Sequence, residues 1–284
     1  MIKTIFFDVG SVILNEDWLH FKIFEVLLTL LRKYDAKWTF EALMAEREER
    51  ILKFGDTHPE YSIAREYLNA NDLRTFQYYI RYLGVTKRHF YLKPMPGIVY
   101  VIHNLSSYYQ LGIIANQPAF ITRYLKTQGI LNYFSVWAMS EELNLHKPDP
   151  AIFQWALKHM RTRPEEAVMI GDRIDHDILP AKTLGMKAVL ARFTLKAKGI
   201  MPQHIRERMY FQSLERVPNW RQEPQKPEEV PDAVVKAPTH ILPTIKQLDS
   251  SLSEEKEPIS LLEAFRNLFK EIAEIEVAEE DKLS

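Results

Sequence analysis

The sequence predicts an α/β protein with a doubly wound parallel sheet, an all-helical insertion and a C-terminal extension. Two observations predict this class. Short apolar and β-branched runs alternate with helical segments through residues 93–193, which is typical of a parallel sheet with right-handed crossovers. Residues 17–92, in contrast, carry apolar residues at helical spacing and contain no convincing strand. The helical segments therefore interrupt the sheet between its first and second strands.

The first predicted strand lies within Lys3–Leu14. Its apolar run stops at Asp8, and Gly10 follows two positions later. Such a short apolar run is typical of a strand that is buried on both faces. Open parallel sheets bind ligands at the carboxyl ends of their strands, so Asp8 is expected at a binding edge. Gly10 lets the backbone turn sharply and approach the group that Asp8 contacts.

The remaining elements are predicted in chain order. The insertion contains helices at His20–Arg32, Phe40–Phe54 and Ile63–Leu83, and Pro94-Met95-Pro96-Gly97 marks the return to the sheet. Four strands follow, at Tyr109–Asn116, Ser135–Met139, Ala167–Ile170 and Lys187–Leu190, with helices at Ile98–Ser106, Phe120–Gln128, 151–160 and Ile178–Leu184.

The alternation degrades beyond Phe193. Residues 196–230 are basic and then rich in Pro, Glu and Gln, which predicts a long excursion or a partly ordered loop. An edge strand is expected at Pro231–Val235 and a short helix at Ile241–Leu248.

Residues 249–284 are expected to form a linker and an amphipathic helix. Ser260-Leu261-Leu262-Glu263 has the form of a capping box. One face of the predicted helix is apolar, with Leu262, Phe265, Leu268, Phe269 and Ile272. We expect this stripe to dock on the protein's own surface, and a dimer or partner contact is the alternative.

The composition of the chain excludes several classes of function. The 284 residues carry a formal net charge of -1, which gives no reason to expect nucleic acid or an anionic membrane as the main partner. The chain has no Cys, which excludes disulfides, thiolate catalysis and Cys-ligated metals. No apolar run approaches membrane-spanning length, and no secretory leader precedes the first strand. These observations predict a cytoplasmic protein.

A second buried strand also ends in acids. Gly171-Asp172 follows Ala167–Ile170, and Asp175 and Asp177 come within one further turn. Parallel strands that end in Asp at one edge crowd like charges, which is costly unless a cation or a shared proton neutralises them. Mg²⁺ prefers such oxygen ligands and commonly works with phosphate. For Asp175, we expect the simpler role of a helix cap.

A third candidate is Lys147, which stands in His146-Lys147-Pro148-Asp149-Pro150 just before a predicted helix. A lone lysine is usually a solvated surface charge. Beside the two aspartate turns, its ammonium could instead reach the strand ends and neutralise phosphate or Asp8.

Together these motifs resemble those of the haloacid dehalogenase-like (HAD) hydrolase superfamily. The motifs are Asp8-Val9-Gly10-Ser11-Val12, Ile113-Ile114-Ala115-Asn116, Lys147-Pro148-Asp149-Pro150 and Gly171-Asp172 through Asp177. Their order and spacing match the branch with a helical cap inserted after the first motif. The resemblance covers roughly residues 3–193 and implies a Rossmann-like sheet with a cap that closes over the substrate. The predicted domains are a catalytic core at residues 1–16 and 93–248, a helical cap at 17–92 and a C-terminal segment at 249–284.

The resemblance also implies roles for individual residues. Asp8 would be the nucleophile and a Mg²⁺ ligand, and the Gly10 carbonyl and Asp172 would be further ligands. Lys147 would hold the phosphoryl group and the charge of Asp8, and Asp177 would support Lys147 or the metal's waters. The implied reaction is a two-step phosphoester hydrolysis through an aspartyl-phosphate.

Two positions depart from the family pattern. Gly10 stands where most phosphatases of the family have a second Asp that acts as general acid and base. Such help is typically worth about 10²–10⁴-fold in rate. Ala115 replaces a Ser or Thr that binds the phosphoryl group, and the neighbouring Asn116 could bind it through its backbone N–H or its side chain.

Three functions therefore stay open. The first is a Mg²⁺-dependent phosphatase that is slow or that prefers good leaving groups. The second is a dehalogenase, a branch that also lacks the second Asp, although the acidic turn at Asp172 disfavours it. The third is a catalytically weakened protein that binds a phosphorylated ligand or a protein partner. Trp18, Arg47, Arg65 and Arg74 are candidate substrate contacts, with a core aromatic or a solvated charge as the simpler expectation for each.

Overall fold

The structure is a computed structural model that describes residues 1–249. The C-terminal amphipathic helix and its predicted docking, dimer or partner contact lie outside the described residues. Within residues 1–249, no helix combines the length and the apolar character that crossing a membrane requires.

The protein is an α/β protein, as the sequence predicts. The strands are β1 (Thr4–Phe7), β2 (Leu14–Asn15), β3 (Lys93–Pro94), β4 (Gln110–Ala115), β5 (Val136–Met139), β6 (Ala167–Gly171), β7 (Lys187–Ala191) and β8 (Ala233–Val235). Six of them form a parallel sheet in the order β5-β4-β1-β6-β7-β8. The short strands β2 and β3 pair antiparallel beside it.

Twelve α-helices complete the described part of the chain. They are α1 (Asp17–Leu31), α2 (Phe40–Phe54), α3 (Pro59–Tyr67), α4 (Ala70–Val85), α5 (Arg88–Tyr91), α6 (Ile98–Ser106), α7 (Ala119–Thr127), α8 (Ser140–Leu143), α9 (Pro150–Met160), α10 (Leu179–Thr183), α11 (Ile205–Arg216) and α12 (Ile241–Leu248).

Strand β1 lies in the interior of the sheet and is buried on both faces. Ile5 and Phe7 belong to the apolar cluster that contains residues of α6, α7 and α12. Phe6, which points to the opposite face, belongs to the cluster with residues of α9 and α10. Helices therefore cover both sides of the sheet, which is the doubly wound arrangement.

Helices α1 to α5 lie between β2 and β3 and share an apolar core of their own. The helical region predicted at Ile63–Leu83 consists of two helices, because the chain is extended at Leu68 (φ -99°, ψ 141°) between α3 and α4. The Asn69 side chain accepts hydrogen bonds from the N–H groups of Asn71 and Asp72, which starts the second helix.

For residues 196–230, the sequence predicts a long excursion or a partly ordered loop. The segment is an excursion between β7 and β8 that contains α11, so the partly ordered loop is wrong. Tyr210 and Phe211 are buried in the core of the helical insertion, together with Ile200. At the start of α11, the Glu207 carboxylate accepts hydrogen bonds from the N–H groups of Gln203 and His204. The segment is ordered because an apolar surface supplied by the insertion covers its two aromatic residues.

Arg47 fixes this segment to the insertion. It lies on α2 and is fully buried. Its guanidinium donates to the Ser213 hydroxyl at 2.8 Å, to the Val217 carbonyl at 3.0 Å and to the Asn219 side chain. Arg47 is therefore not a solvated charge, and it does not line the cavity beside Asp8 and Lys147.

We predict that Arg47→Met destabilises the protein by about 3 kcal/mol, because the buried oxygens of Ser213 and Val217 lose their donor. Urea unfolding measures this change. Arg65→Met, at an exposed arginine of α3, is the control and should change the free energy of unfolding by less than about 0.5 kcal/mol. Equal stabilities for the two variants would contradict the anchoring role of Arg47.

Candidate active site

Two aspartates directly follow neighbouring strands of the sheet. Asp8 follows β1 and Asp172 follows β6, and these strands are paired in parallel with Phe7 opposite Ile170. The N–H of Asp8 donates to the Ile170 carbonyl at 2.8 Å, which continues the pairing up to the first acid. The parallel register therefore brings both carboxyl groups to one edge of the sheet, as the sequence predicts.

Lys147 joins this edge from a distant part of the chain. Its Nζ lies 2.8 Å from Asp8 Oδ1 and 2.5 Å from Asp177 Oδ1, and all three residues are buried. Burial alone would lower the pKa of Lys147, but the charges of Asp177 and Asp8 raise it above its usual value. Lys147 is therefore a permanent ammonium between two carboxylates.

Asn116 holds the backbone of Lys147. Its Oδ1 accepts from the Lys147 N–H and its Nδ2 donates to the Lys147 carbonyl, both at 2.8 Å. Asn116 directly follows β4, so the side chain ties the lysine loop to the strand next to β1. Both polar atoms of the amide are used in this way.

Asp177 is placed by a turn of π-helix at Ile174–Ile178. Its Oδ2 accepts from the Arg173 N–H at 2.9 Å, which leaves Oδ1 for Lys147. The side chain packs directly on Gly171, where an added Cβ would lie 2.3 Å from the Cβ and Cγ of Asp177. The helix cap predicted at Asp175 is wrong, because its carboxylate contacts the Arg173 guanidinium at 2.7 Å.

The three carboxyl groups of Asp8, Asp172 and Asp177 offer oxygens within 4.8 Å of one another. Burial, followed by the charge of Asp8, raises the pKa of Asp172 well above its usual value. Burial also raises the pKa of Asp8, although Lys147 opposes the change. Carboxylate oxygens so close together are the donor set that a hard divalent cation requires. The residues present therefore fit Mg²⁺.

Glu16 lies beside Gly10 and is not among the residues that the sequence predicts for the site. An added Cβ on Gly10 would lie 2.7 Å from Glu16 Oε2 and 3.2 Å from Gln117 Nε2. Gln117 Nε2 also donates to Glu16 Oε1 at 3.1 Å. Burial raises the pKa of the Glu16 carboxyl. No motif marks either residue, and only the fold brings them together.

These groups open into a cavity of about 940 Å³ with three walls. The sheet edge contributes Asp8, Asn116, Lys147 and Asp172, and Glu16 lies just before the insertion. The insertion contributes His20 and His58. The segment at 196–230 that contains α11, called the α11 segment below, contributes Tyr210, Asn219 and Trp220. The Arg173 guanidinium lies 5.3 Å from the centre of the Trp220 ring, so the α11 segment contacts the turn that follows Asp172.

His20 brings a positive charge to the insertion side of the cavity. Its Nδ1 lies 3.5 Å from the buried Glu60 Oε1. Burial would lower the pKa of His20, but Glu60 raises it to about 9, and His20 with His58 lowers the pKa of Glu60 to about 2 against the effect of burial. The imidazolium is therefore present at neutral pH.

The other candidate substrate contacts lie elsewhere. Trp18 packs against Phe211 with ring centres 4.9 Å apart, as a core aromatic. Arg65 and Arg74 are exposed. Among the described residues that line the cavity, none of these three is found.

Comparison with known proteins agrees with this geometry. Residues 5–191 match the model of the family described as haloacid dehalogenase-like hydrolase. The glyceraldehyde 3-phosphate phosphatase of Methanopyrus kandleri is 26% identical over 212 residues, which are 73% of this chain and 81% of the relative. The protein of the same name from Pyrococcus abyssi is 29% identical over 198 residues, 68% of this chain and 82% of the relative.

Solved structures show the same fold. A HAD phosphatase from Thermococcus onnurineus has a TM-score of 0.55 at 20% identity, covering 87% of this chain and 97% of its own. A haloacid dehalogenase-like family hydrolase from Xanthomonas campestris has a TM-score of 0.55 at 14% identity, covering 88% of this chain and 93% of its own.

We predict that Gly171→Ala destabilises the protein by about 1–3 kcal/mol, because the new methyl group displaces Asp177 from Lys147. Denaturant unfolding measures the change. Gly84→Ala is the matched control. Gly84 lies in helix α4, and its added Cβ would meet a ring atom of Phe120 at an ordinary van der Waals distance of 3.6 Å. It should be neutral or stabilising by up to about 1 kcal/mol. A neutral Gly171→Ala would show that Asp177 is not held as described.

Proposed function

The chain belongs to the haloacid dehalogenase-like hydrolase family, and we propose that it is a Mg²⁺-dependent phosphatase acting through an aspartyl-phosphate intermediate on a small phosphorylated metabolite. The observation that carries this proposal is the contact of Lys147 with Asp8 and Asp177 beside Asp172. A lysine and a cation-binding acid cluster at one cavity form a site for a dianionic group.

In this proposal Asp8 is the nucleophile. Its Oδ1 contacts Lys147, whose ammonium keeps the carboxylate ionised despite the burial that raises its pKa. A carboxylate oxygen attacks phosphorus in line and the leaving oxygen departs on the opposite side. Lys147 also neutralises the phosphoryl oxygens. Its ammonium donates a hydrogen bond to Asp177 as well, and this second contact holds the lysine in place.

Asp8, Asp172 and the Gly10 carbonyl would hold Mg²⁺, with Asp177 outside the ligand set. When bound, the cation neutralises the crowded carboxylates and the charge of the phosphoryl group. The raised pKa of Asp172 supports this assignment, because a buried acid beside another acid is favourable as an anion only when a cation is present.

Of the two groups of Asn116 that could bind the substrate, we assign this role to the backbone N–H and not to the side chain. Both polar atoms of its side chain are engaged with the Lys147 backbone, so the side chain positions Lys147. Ala115 supplies no hydroxyl, and the N–H after it is the donor that we assign to the phosphoryl group.

The helical insertion, residues 17–92, acts as a cap over a core formed by residues 1–16 and 93–248. His20 and His58 face the cavity from this cap, and α11 packs on it through Tyr210 and Phe211. A cavity of about 940 Å³ suits a small metabolite. The relatives named glyceraldehyde 3-phosphate phosphatase make a three-carbon phosphate a first substrate to test.

The test is phosphate release from p-nitrophenyl phosphate, acetyl phosphate and a panel of metabolites that includes glyceraldehyde 3-phosphate. We expect turnover that requires Mg²⁺, stops on chelation, and falls to background in Asp8→Asn because the nucleophile is lost. Asp35→Asn, at an exposed aspartate of the cap, should retain it.

Other outcomes would contradict the proposal. Binding of a phosphate analogue without turnover of any substrate would favour a binding protein, which the departures at Gly10 and Ala115 keep open. Chloride release from 2-chloropropionate without added metal would favour a dehalogenase.

A further inference from the structure

The Glu16 carboxyl occupies the space that a side chain at residue 10 would enter. A Cβ on Gly10 would lie only 2.7 Å from Glu16 Oε2, so the two cannot be present together without movement. Gly10 carries no acid, yet the structure places a carboxyl group beside its α-carbon. The acid comes from six positions further along the chain.

A tight turn produces this placement. The N–H of Ser11 donates to the Leu14 carbonyl at 2.9 Å, and Ser11 adopts a left-handed conformation with φ +56°. Leu14 pairs with Gly10 in a parallel bridge, so the start of strand β2 (Leu14–Asn15) lies beside Gly10. Glu16 follows β2 directly, and the turn returns its side chain to the loop after Asp8.

No structural role accounts for the Glu16 side chain. Glu16 stands at the N-cap position of α1, but its carboxyl accepts no hydrogen bond from the helix. Within residues 1–249, no Lys, Arg or His lies within ion-pair distance of it. Burial raises the pKa of the carboxyl, and the charge of His20 opposes this effect only from further away. Gln117 Nε2 holds Oε1 at 3.1 Å, and the other oxygen, Oε2, is the one nearest Gly10. The carboxyl is thus fixed by one neutral donor at the wall of the cavity that contains Asp8.

We propose that Glu16 is the catalytic acid and base of the reaction, in the position that Gly10 leaves without a side chain. The inference rests on the proposed phosphatase function. Gln117 is a positioning residue that orients the Glu16 carboxyl through Oε1.

The reaction has two steps, phosphorylation of Asp8 and hydrolysis of the aspartyl-phosphate, and each conserves protons and electron pairs. An Asp8 oxygen forms a bond to phosphorus, the phosphorus–oxygen bond to the leaving group breaks with its electron pair, and the Glu16 carboxylic acid donates its proton to that oxygen, which releases an alcohol. Water then attacks phosphorus and gives its proton to the Glu16 carboxylate. The bond to Asp8 breaks with its pair, phosphate leaves, and both side chains return to their starting forms.

The test compares leaving groups in Glu16→Gln. With glyceraldehyde 3-phosphate or another alkyl phosphate that the wild type accepts, kcat/KM should fall by about 10²-fold or more, because an alkoxide leaves poorly without a proton. With p-nitrophenyl phosphate, kcat/KM should change by less than about threefold, since p-nitrophenolate needs no proton. The kcat of Glu16→Gln with p-nitrophenyl phosphate should fall, because the water that attacks the aspartyl-phosphate loses its base. Phosphorylated Asp8 should therefore accumulate, and mass spectrometry of the peptide that contains it should detect the modification.

A second variant separates catalysis from folding. Gly10→Asp in a Glu16→Ala background puts a carboxyl group at the same place from the other residue, and the smaller side chain at 16 removes the contact at 2.7 Å. It should recover at least about tenfold in kcat/KM for the alkyl phosphate over Glu16→Ala alone. Glu41→Gln, at an exposed acid of the cap, is the matched control and should leave every rate unchanged.

The outcomes distinguish the two proposals. If the wild type hydrolyses phosphates but Glu16→Gln lowers kcat/KM equally for both leaving groups, or changes neither, Glu16 is not the acid and only this inference fails. If the wild type hydrolyses no phosphate, the proposed function fails and the inference fails with it.

Discussion

The ammonium of Lys147 between Asp8 and Asp177 is the contact on which the site depends. It joins three segments that are far apart in the chain and buries their charges together at the carboxyl edge of the sheet. Two neighbouring residues serve this contact: Asn116 fixes the lysine backbone, and Gly171 leaves room for the Asp177 side chain. Removing the ammonium would leave buried carboxylates facing one another, which is one of the more costly changes a protein interior can suffer.

Much of the α/β part of the fold could be predicted, because the sequence patterns that specify its strands and helices are local. The apolar run before Asp8 and the run before Asp172 are sufficient to define strands, and the parallel sheet then places both acids at one edge. The helices predicted at Ile98–Ser106 and Ile241–Leu248 have the observed bounds. The break at Leu68 was predictable in principle, because Asn69 is a strong helix-capping residue within an otherwise continuous apolar pattern.

Other features depend on contacts that no short pattern contains. The α11 segment is polar and proline-flanked, and it is ordered only because the insertion supplies an apolar surface and the buried Arg47. Glu16 looks like an ordinary acid at the start of a helix, and its place beside Gly10 follows from the turn that ends at Leu14. The departure at Gly10 is visible in the sequence, but the group that fills the space is visible only in the fold.

Lys147 and Asp177 form one coupled, buried charge pair. A double-mutant cycle with Lys147→Met, Asp177→Asn and the double variant tests it directly, by urea unfolding in metal-free buffer. We expect Lys147→Met to lower the free energy of unfolding by about 3 kcal/mol or more in the wild-type background. The cost should be smaller by at least about 1 kcal/mol when Asp177 is already Asn. Costs that agree within about 0.5 kcal/mol in the two backgrounds would contradict it.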